Sequence, residues 1–267
     1  YKAVVAGLWG IVGLSVMVWA HHMFTSGMAD SLHGPFMALT EVISIPTGLI
    51  FLGALGTLWQ GRLRSSTPLW LAYGWLFNFA IGGITGIYLA DVATDVHLQD
   101  TYFVVAHFHY TIVGGSIYAL LAGSYFWFPK ITGRMYSERW GKVFAVWLTV
   151  GFNLVFLPLF WAGVNGLGRR VADYPEYYAG VNSFASIAAY FLGLGFLVYA
   201  GNLLWSALRG PKADANPWQA RTLEWQLPSP PPEHNFPLLP EVVGHPYDYG
   251  FPDSTHVKLG GDDDASG

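Results

Sequence analysis

Two pairs of histidines in apolar stretches are the side chains of this sequence best suited to chemistry. His107 and His109 lie in the apolar segment 101–128, and His21 and His22 close the first apolar stretch of the chain. Imidazole suits copper, iron and zinc, and a few such ligands with an open position suit a redox metal that binds a small molecule. In a soluble protein these would be ordinary packed or solvated histidines. Inside a long apolar segment a polar ring is costly and marks function, so a metal centre is predicted.

The helix that carries His107 and His109 is predicted to begin at Thr101, whose hydroxyl can cap it, with Asp100 adding a carboxylate at the positive end of the helix dipole. Residues two apart on a helix differ by about 200° of rotation, so the two imidazoles point to nearly opposite sides. A helix of this kind can stand between two metal centres and ligate both.

His21 and His22 are expected at the same depth as the second pair, because the first span ends on the membrane face where the fourth begins. Adjacent helix residues differ by about 100°, which still allows both rings to reach one ion. Each pair alone is a weak signal, but the four histidines together predict a metal shell.

Composition places the chain in a membrane. Of its 267 residues 53% are hydrophobic and only 11% are charged, whereas a soluble domain is about 25% charged. The absence of cysteine excludes disulfides, iron–sulfur clusters and cysteine nucleophiles, and a net charge of −4 gives no indication of nucleic-acid binding. Histidine must therefore supply any soft metal ligand.

Six stretches are long and apolar enough to span a bilayer, so an all-α integral membrane protein is predicted. They cover about residues 3–24, 37–60, 68–90, 101–128, 142–164 and 183–208, a transmembrane domain over 1–209. Lys and Arg follow the second, fourth and sixth spans, which puts those connections and both termini on the inner side. Residues 210–267 are predicted to be an extended, partly disordered tail on the inner face, without fixed structure in 260–267.

Arg169 and Arg170 break this charge rule, because they lie in an outer loop. Two arginines on that side favour an anionic partner. The alternative is that they pair with Asp173 and Glu176 in the same loop.

These residues together resemble the haem–copper oxidoreductase superfamily, specifically the C-terminal half of cytochrome c oxidase subunit I. The resemblance covers nearly the whole chain and is carried by Trp19–Thr25, Ile45–Gly48, Asp100–Tyr102, Ala106–His109, Arg169–Arg170 with Asp173–Pro175, Leu223–Trp225 and Pro230–Pro232. It implies that the six spans correspond to helices seven to twelve of the family's twelve.

The resemblance implies a role for each histidine. His21 and His22 would be two ligands of copper B, His107 the axial ligand of a high-spin haem, and His109 an axial ligand of a low-spin haem. Phe108 lies between the haem ligands, where it would either couple the two rings or simply pack.

By the same resemblance Arg169 and Arg170 would hold haem propionates. Asp100 would belong to a magnesium site at a subunit interface, where Gln99 stands in place of the usual histidine. The expected cofactors are therefore two haems and copper B, with Mg²⁺ near Asp100.

The rest of the catalytic apparatus would come from elsewhere. The implied partners are the N-terminal half of subunit I, other oxidase subunits including an electron-entry subunit, cytochrome c or a similar electron donor, and membrane lipid. The implied location is a bacterial-type plasma membrane or the mitochondrial inner membrane.

The second span departs from the family pattern. Thr40, Ser44 and Thr47 form a hydroxyl ladder on one helix face, although membrane hydroxyls often bond only their own backbone. The resemblance makes Thr40 and Thr47 part of a proton route whose lysine is replaced here by Ile50. Glu41 adds an acid next to Thr40, which is either packing or a catalytic proton carrier.

Three candidate functions account for some or all of these features. The first is a terminal oxidase that reduces O₂ to water at a high-spin haem and copper B, with electrons from a low-spin haem and coupled proton translocation. The second is a nitric oxide reductase of the same superfamily, favoured by Glu41 and Ile50. A non-catalytic membrane subunit or transporter is the third, and it leaves the four histidines and two arginines unexplained. The oxidase is the prediction that the motifs match best.

Overall fold

The computed structural model describes residues 1–245 and 256–258, which form a mostly helical chain. The α-helices are α1 (Lys2–Val18), α2 (Asp30–Val42), α3 (Ser44–Leu58), α4 (Thr67–Ala90), α5 (Val92–Leu98), α6 (Tyr102–Thr111), α7 (Tyr118–Thr132), α8 (Glu138–Val164) and α9 (Ala179–Arg209). Shorter turns of helix cover Trp19–Met23, Glu176–Tyr178 and Leu223–Gln226, and a π-helical turn over Ile112–Ile117 joins α6 to α7. Two short strands, β1 (Glu241–Val242) and β2 (Val257–Lys258), pair antiparallel.

The helical segments confirm the predicted all-α membrane class. Five of those described are long and apolar enough to cross a bilayer, and α4 with α5 adds a sixth if that pair, bent by 103°, is one span. Most of the apolar surface of each span is not buried inside this chain. That surface needs lipid or other membrane helices to cover it.

The second span begins at Asp30, earlier than the predicted residue 37, and is interrupted at Ile43 between α2 and α3. Pro46 is the third residue of α3, where a backbone N–H has no partner within its helix in any case. The interruption therefore removes the cost of the proline. α2 also begins in polar residues, which a search for apolar runs leaves out.

The segment between α4 and α6, which contains α5, leads into the predicted histidine helix. Asp91 caps α5, with its carboxylate accepting from the backbone N–H of Ala93 and from the Thr94 hydroxyl. Thr101 then caps α6 by accepting from the Phe103 N–H at 3.2 Å, as predicted. The chain enters α6 through Asp100, which has a φ of 57°.

The chain divides into two compact units, residues 1–122 with 142–197 and residues 123–141 with 198–267. In the first unit, the start of α6 packs in a buried cluster of Leu89, Leu98, Phe103 and Val104. A second cluster of Ala106, Leu159 and Ala185 joins α6 to α8 and α9. The helix bearing His107 and His109 is therefore at the centre of this unit.

In the second unit the proximal part of the tail packs on α7 rather than lying free. The ammonium of Lys130, a buried residue, donates to the carbonyl oxygens of Ala215, Leu227 and Pro228 at 3.1, 2.7 and 3.2 Å. It also lies 4.9 Å from the ring centre of Trp225. The tail segment 260–267, expected to lack fixed structure, falls outside the described residues.

Replacing Lys130 with Met should loosen the tail, because one buried and two partly buried carbonyls lose a charged donor while the aliphatic volume is kept. We expect a loss of about 2–3 kcal/mol in the free energy of unfolding of this unit and faster proteolysis after residue 210. Thermal melting and limited proteolysis of the purified membrane protein measure both. Lys212→Met is the control, since the Lys212 side chain is exposed. Equal effects of the two substitutions would contradict the role of the Lys130 contacts.

Candidate metal centre

Three of the four predicted histidines meet at one cavity of the first unit. His21, His22 and His107 line a space of about 450 Å³ between the end of the first span, α2, α3, α4 and α6. Thr40, Ser44, Thr47 and Thr111 add hydroxyl groups to a wall that is otherwise apolar. The cavity thus presents imidazole nitrogen in surroundings that offer few competing polar groups.

His107 is oriented by α4. Its Nδ1 lies 3.1 Å from the Thr85 hydroxyl oxygen, and that hydroxyl in turn donates to the Ile81 carbonyl at 2.8 Å. Because the Thr85 proton is used there, His107 Nδ1–H is the donor and its Nε2 is left unprotonated, ready for a metal. Gly86 makes room for the ring, since a Cβ at that position would come within 3.0 Å of His107 Cε1.

His109 lies in different surroundings, on the side of α6 that faces α8. Its Nδ1 donates to the Val105 carbonyl at 2.8 Å, which again leaves Nε2 as the free nitrogen. The ring is stacked between Phe108 and Phe156, with ring centres 4.4 and 4.1 Å away. His109 does not line the cavity of His107. This arrangement agrees with the opposed faces inferred from helix rotation.

His21 and His22 present converging nitrogens. Their Nε2 atoms are 3.0 Å apart. A metal about 2.0 Å from both would subtend an angle of about 95°, which is within the range of a bent two-ligand arrangement. His21 Nδ1 is 3.2 Å from the Thr40 hydroxyl oxygen, whose own proton goes to the Phe36 carbonyl. Donation from His21 Nδ1 therefore leaves its Nε2 as the ligand atom.

The histidine pair is incomplete within this chain. Among the residues that the structure describes, no group of three or more His, Cys, Asp or Glu side chains could hold a metal ion. Two imidazoles fit part of a copper shell and do not complete it. The residues present therefore fit the implied metal as one half of its site.

Arg169 forms an ion pair with Asp100, not with Asp173 or Glu176 as the alternative reading of this loop expected. Its Nε donates to Asp100 Oδ1 at 2.7 Å, and its backbone N–H donates to the Asp100 carbonyl at 2.8 Å. The Arg169 side chain is 19% exposed and that of Asp100 is 63% exposed. Arg170 follows as an exposed residue with φ of 64°. The loop that carries Arg169 and Arg170 is thus held to Asp100, the residue before the N-cap of α6.

The residues expected to bind magnesium do not assemble such a site. Asp100 is paired with Arg169, and the Gln99 side-chain nitrogen donates to the His22 carbonyl at 2.7 Å. An amide donor and a paired carboxylate are a poor match for an ion that requires oxygen ligands in octahedral geometry. Gln99 instead ties the loop before α6 to the His21–His22 segment.

The hydroxyl ladder lies on the cavity wall, and the two departures from the family pattern do not. Thr47 lines the cavity while its hydroxyl donates to the Ile43 carbonyl at 2.8 Å. Glu41 is exposed, on a face that does not line the cavity. Ile50 packs against α1, where its Cγ1 lies 3.0 Å from the position of a Cβ on Gly7.

Sequence reasoning did not identify Thr85, although it fixes the tautomer of His107. A threonine in an apolar helix carries no distinctive signal, and the contact spans 22 residues. Asp95, in α5, is a further buried acidic side chain, outside the lining of the cavity. That side chain is 1% exposed, and its Oδ2 has no hydrogen-bond partner among the described residues.

Comparison with known proteins decides the family. Residues 1–202 match the sequence model of the family described as cytochrome c and quinol oxidase polypeptide I. The chain belongs to this family. It is 44% identical over 251 residues to cytochrome c oxidase subunit 1 of Synechocystis sp., covering 94% of this chain and 46% of that protein. Against the Cereibacter sphaeroides cytochrome c oxidase subunit 1 it is 41% identical over 244 residues, covering 90% and 43%.

A solved structure of a haem–copper terminal oxidase dimer shares the fold. The TM-score is 0.64 at 22% identity, and the match covers 75% of this chain and 41% of the other. The chain therefore spans less than half the length of the relatives that it matches. Both of the named relatives are subunit 1 of a cytochrome c oxidase.

Thr40 and Thr47 allow a matched test of the His21 contact. Thr40→Val removes the oxygen that orients His21, whereas Thr47→Val removes a hydroxyl on the same wall that bonds only its own helix. Loss of an oriented partner typically costs 10- to 100-fold in metal affinity, so we expect about that loss for copper in Thr40→Val alone. Copper content of the purified complex after dialysis against graded chelator measures it. Equal retention in both variants would contradict the orienting role of Thr40.

Proposed function

We propose that this chain is part of the catalytic subunit of a haem–copper terminal oxidase that reduces O₂ to water in a respiratory chain. The observation that carries the proposal is the arrangement of the histidines. His107 faces the His21–His22 pair across one cavity, while His109 leaves the other side of the same helix. An active centre and an electron-supplying centre can then share one rigid helix.

In this proposal His107 holds the high-spin haem through Nε2, and His21 and His22 hold copper B with further ligands from outside the chain. The bound haem and copper supply the electrons and the open coordination position for O₂. Thr85 and Thr40 act by keeping the Nδ1 atoms of His107 and His21 protonated, so that each ring offers only its outward nitrogen. The wall of the cavity at that position is largely apolar apart from its hydroxyl groups.

His109 is proposed to hold the low-spin haem. Its stacked contacts with Phe108 and Phe156 fix the ring plane, and the Nδ1 bond to the Val105 carbonyl fixes the tautomer. Phe108 follows His107 directly in the sequence and stacks on His109. It therefore offers a short aromatic connection between the two haem-binding sides of α6.

Protons are proposed to reach the cavity along the wall formed by Thr40, Ser44 and Thr47. Both threonine hydroxyls donate to their own helix, so each offers lone pairs to water but no proton of its own. Ile50 adds no titratable group, and Glu41 lies on an exposed face. Proton transfer and any coupled translocation would thus depend on water along this wall, with Glu41 contributing only through whatever covers α2.

Oxygen is preferred over nitric oxide as the substrate. The reductase alternative was favoured by a carboxyl next to the metal and by the missing lysine. Glu41 is not among the residues lining the cavity of His21 and His22, whereas the relatives at 41 to 44% identity are cytochrome c oxidases. The geometry and the comparisons both support the oxidase.

We propose the remaining partners because His21 and His22 form an incomplete metal shell. A metal shell with two ligands needs the N-terminal half of subunit I, and a low-spin haem needs an electron-entry subunit with cytochrome c or a similar donor. The family description names quinol as well as cytochrome c, so both donor classes stay in the proposal. The apolar spans support an integral membrane protein, and we propose a bacterial-type plasma membrane or a mitochondrial inner membrane as its location, with both termini on the inner side.

Replacing the two helix histidines separately tests the proposal. In the assembled complex His107→Ala should remove the high-spin haem signal and carbon monoxide binding, while His109→Ala should remove the low-spin signal. Reduced-minus-oxidised spectra with and without carbon monoxide report both. Carbon monoxide binding that survives His107→Ala unchanged would overturn the assignment, and a protein with no haem at all in its unmutated form would overturn the function.

The Arg169–Asp100 pair gives a second test through haem potential. Arg169→Gln removes a positive charge near a haem, which favours the ferric state and should lower the reduction potential. Asp100→Asn removes a negative charge from the same pair and should raise it. Redox titration of the haem bands measures both. Shifts in the same direction would indicate that the pair only holds the loop.

A further inference from the structure

A chain of polar side chains, buried at Tyr110 and Asn78 and partly exposed at Asn153, joins α6 to α8 and α4 inside an otherwise apolar unit. The Tyr110 hydroxyl donates to Asn153 Oδ1 at 2.7 Å. Asn153 Nδ2 then donates to Asn78 Oδ1 and to the Thr149 carbonyl, each at 2.8 Å. Tyr110 and Asn78 are both 0% exposed. These bonds therefore link three helices, with both ends of the chain buried.

The face of α4 that receives this chain is otherwise made of glycine. Gly74, Asn78 and Gly82 are four residues apart and so lie on one side of α4. A Cβ on Gly82 would lie 2.9 Å from the Tyr110 carbonyl carbon, and one on Gly74 would collide with the Tyr118 ring. Asn78 is thus a single polar group at the centre of a close helix contact.

The π-helical turn over Ile112–Ile117 puts two tyrosines on this side. Residues eight apart on a regular α-helix diverge by about 80°, but one residue absorbed by a π-bulge reduces this to about 20°. Tyr110 and Tyr118 therefore both reach α8. Tyr118 donates to the Thr149 hydroxyl at 3.0 Å and also interacts with the Asn78 side chain, but it does not contribute to the bonds from Tyr110 through Asn153 to Asn78.

Tyr110 is next to His109 and one helical turn beyond His107. Its ring meets Phe152 edge-on at 4.8 Å and Phe160 face-on at 5.5 Å between centres, so rotation of α6 would break both the ring contacts and the hydroxyl bond. In an apolar interior, a rotated helix would leave the tyrosine hydroxyl and the asparagine amide without partners. One rotation of α6 is therefore strongly preferred.

We propose that the Tyr110–Asn153–Asn78 hydrogen-bond chain is a positioning device that sets the rotation of α6 and thereby aims His107 and His109 at their two centres. This rests on the proposed function only in the identity of those centres as haems. The three residues touch neither haem site directly in this scheme. They act through the helix, so their effect is on imidazole orientation.

Tyr110→Phe tests the proposal in the assembled complex, because it removes one oxygen and keeps the ring. Tyr118→Phe is the matched control: it removes an equally buried hydroxyl, which interacts with Thr149 and Asn78, and leaves the Tyr110–Asn153–Asn78 bonds in place. We expect Tyr110→Phe to shift the electron paramagnetic resonance g values and the visible band of the low-spin haem, which report the orientation of the axial imidazole. Tyr118→Phe should leave both at their unmutated positions.

Asn153→Leu should reproduce the shift of Tyr110→Phe, and the double variant should shift no further than Asn153→Leu alone, because both substitutions break one chain. An unshifted spectrum in Tyr110→Phe, an equal shift in Tyr118→Phe, equal haem loss in both, or additive shifts in the double variant would each overturn the positioning role. Failure of the proposed function is distinct, since the unmutated complex would then contain no haem spectrum to shift.

Discussion

The rest of the site depends on how each histidine uses its two ring nitrogens. His107, His109 and His21 each give Nδ1 to an oxygen of the protein, and each therefore keeps Nε2 free and unprotonated in an apolar setting. Neutral imidazole with one oriented lone pair is the form that binds a metal. The partners are two threonines and one backbone carbonyl, none of which carries charge. The ligand set is thus prepared without placing a counter-ion in the membrane.

These contacts also explain why the helices pack as they do. Thr85 and Gly86 are adjacent on α4, one supplying the oxygen for His107 and the other the space for its ring. Gly82 lies one turn earlier and admits the backbone of α6 at Tyr110. At the far end of this contact Asn78 meets Asn153. A single helix face of α4 therefore serves close packing, ligand orientation and polar linkage in turn.

Much of this site follows from local rules that a sequence carries. The opposed directions of His107 and His109 follow from helix periodicity, and the cap at Thr101 follows from residue type. The partner of Arg169 does not, because it is 69 residues away and the nearer acids, Asp173 and Glu176, are equally reasonable by charge. The position of Glu41 next to Thr40 did not predict its surroundings, because about 100° of rotation separates the two side chains on the helix. Neighbours in sequence there face different surroundings.

Under the proposed function, the geometry of His21 and His22 would couple metal binding to assembly of the subunit. His21 and His22 hold their Nε2 atoms 3.0 Å apart, and two lone pairs at that distance repel unless a proton or a metal lies between them. A proton can bridge only two nitrogens, whereas a metal ion can also accept ligands from another segment. Binding free energy at a site shared between two segments is then also assembly free energy. If His21 and His22 hold a metal as proposed, their converging nitrogens would be most stable when the metal and the ligands of the second segment are both in place.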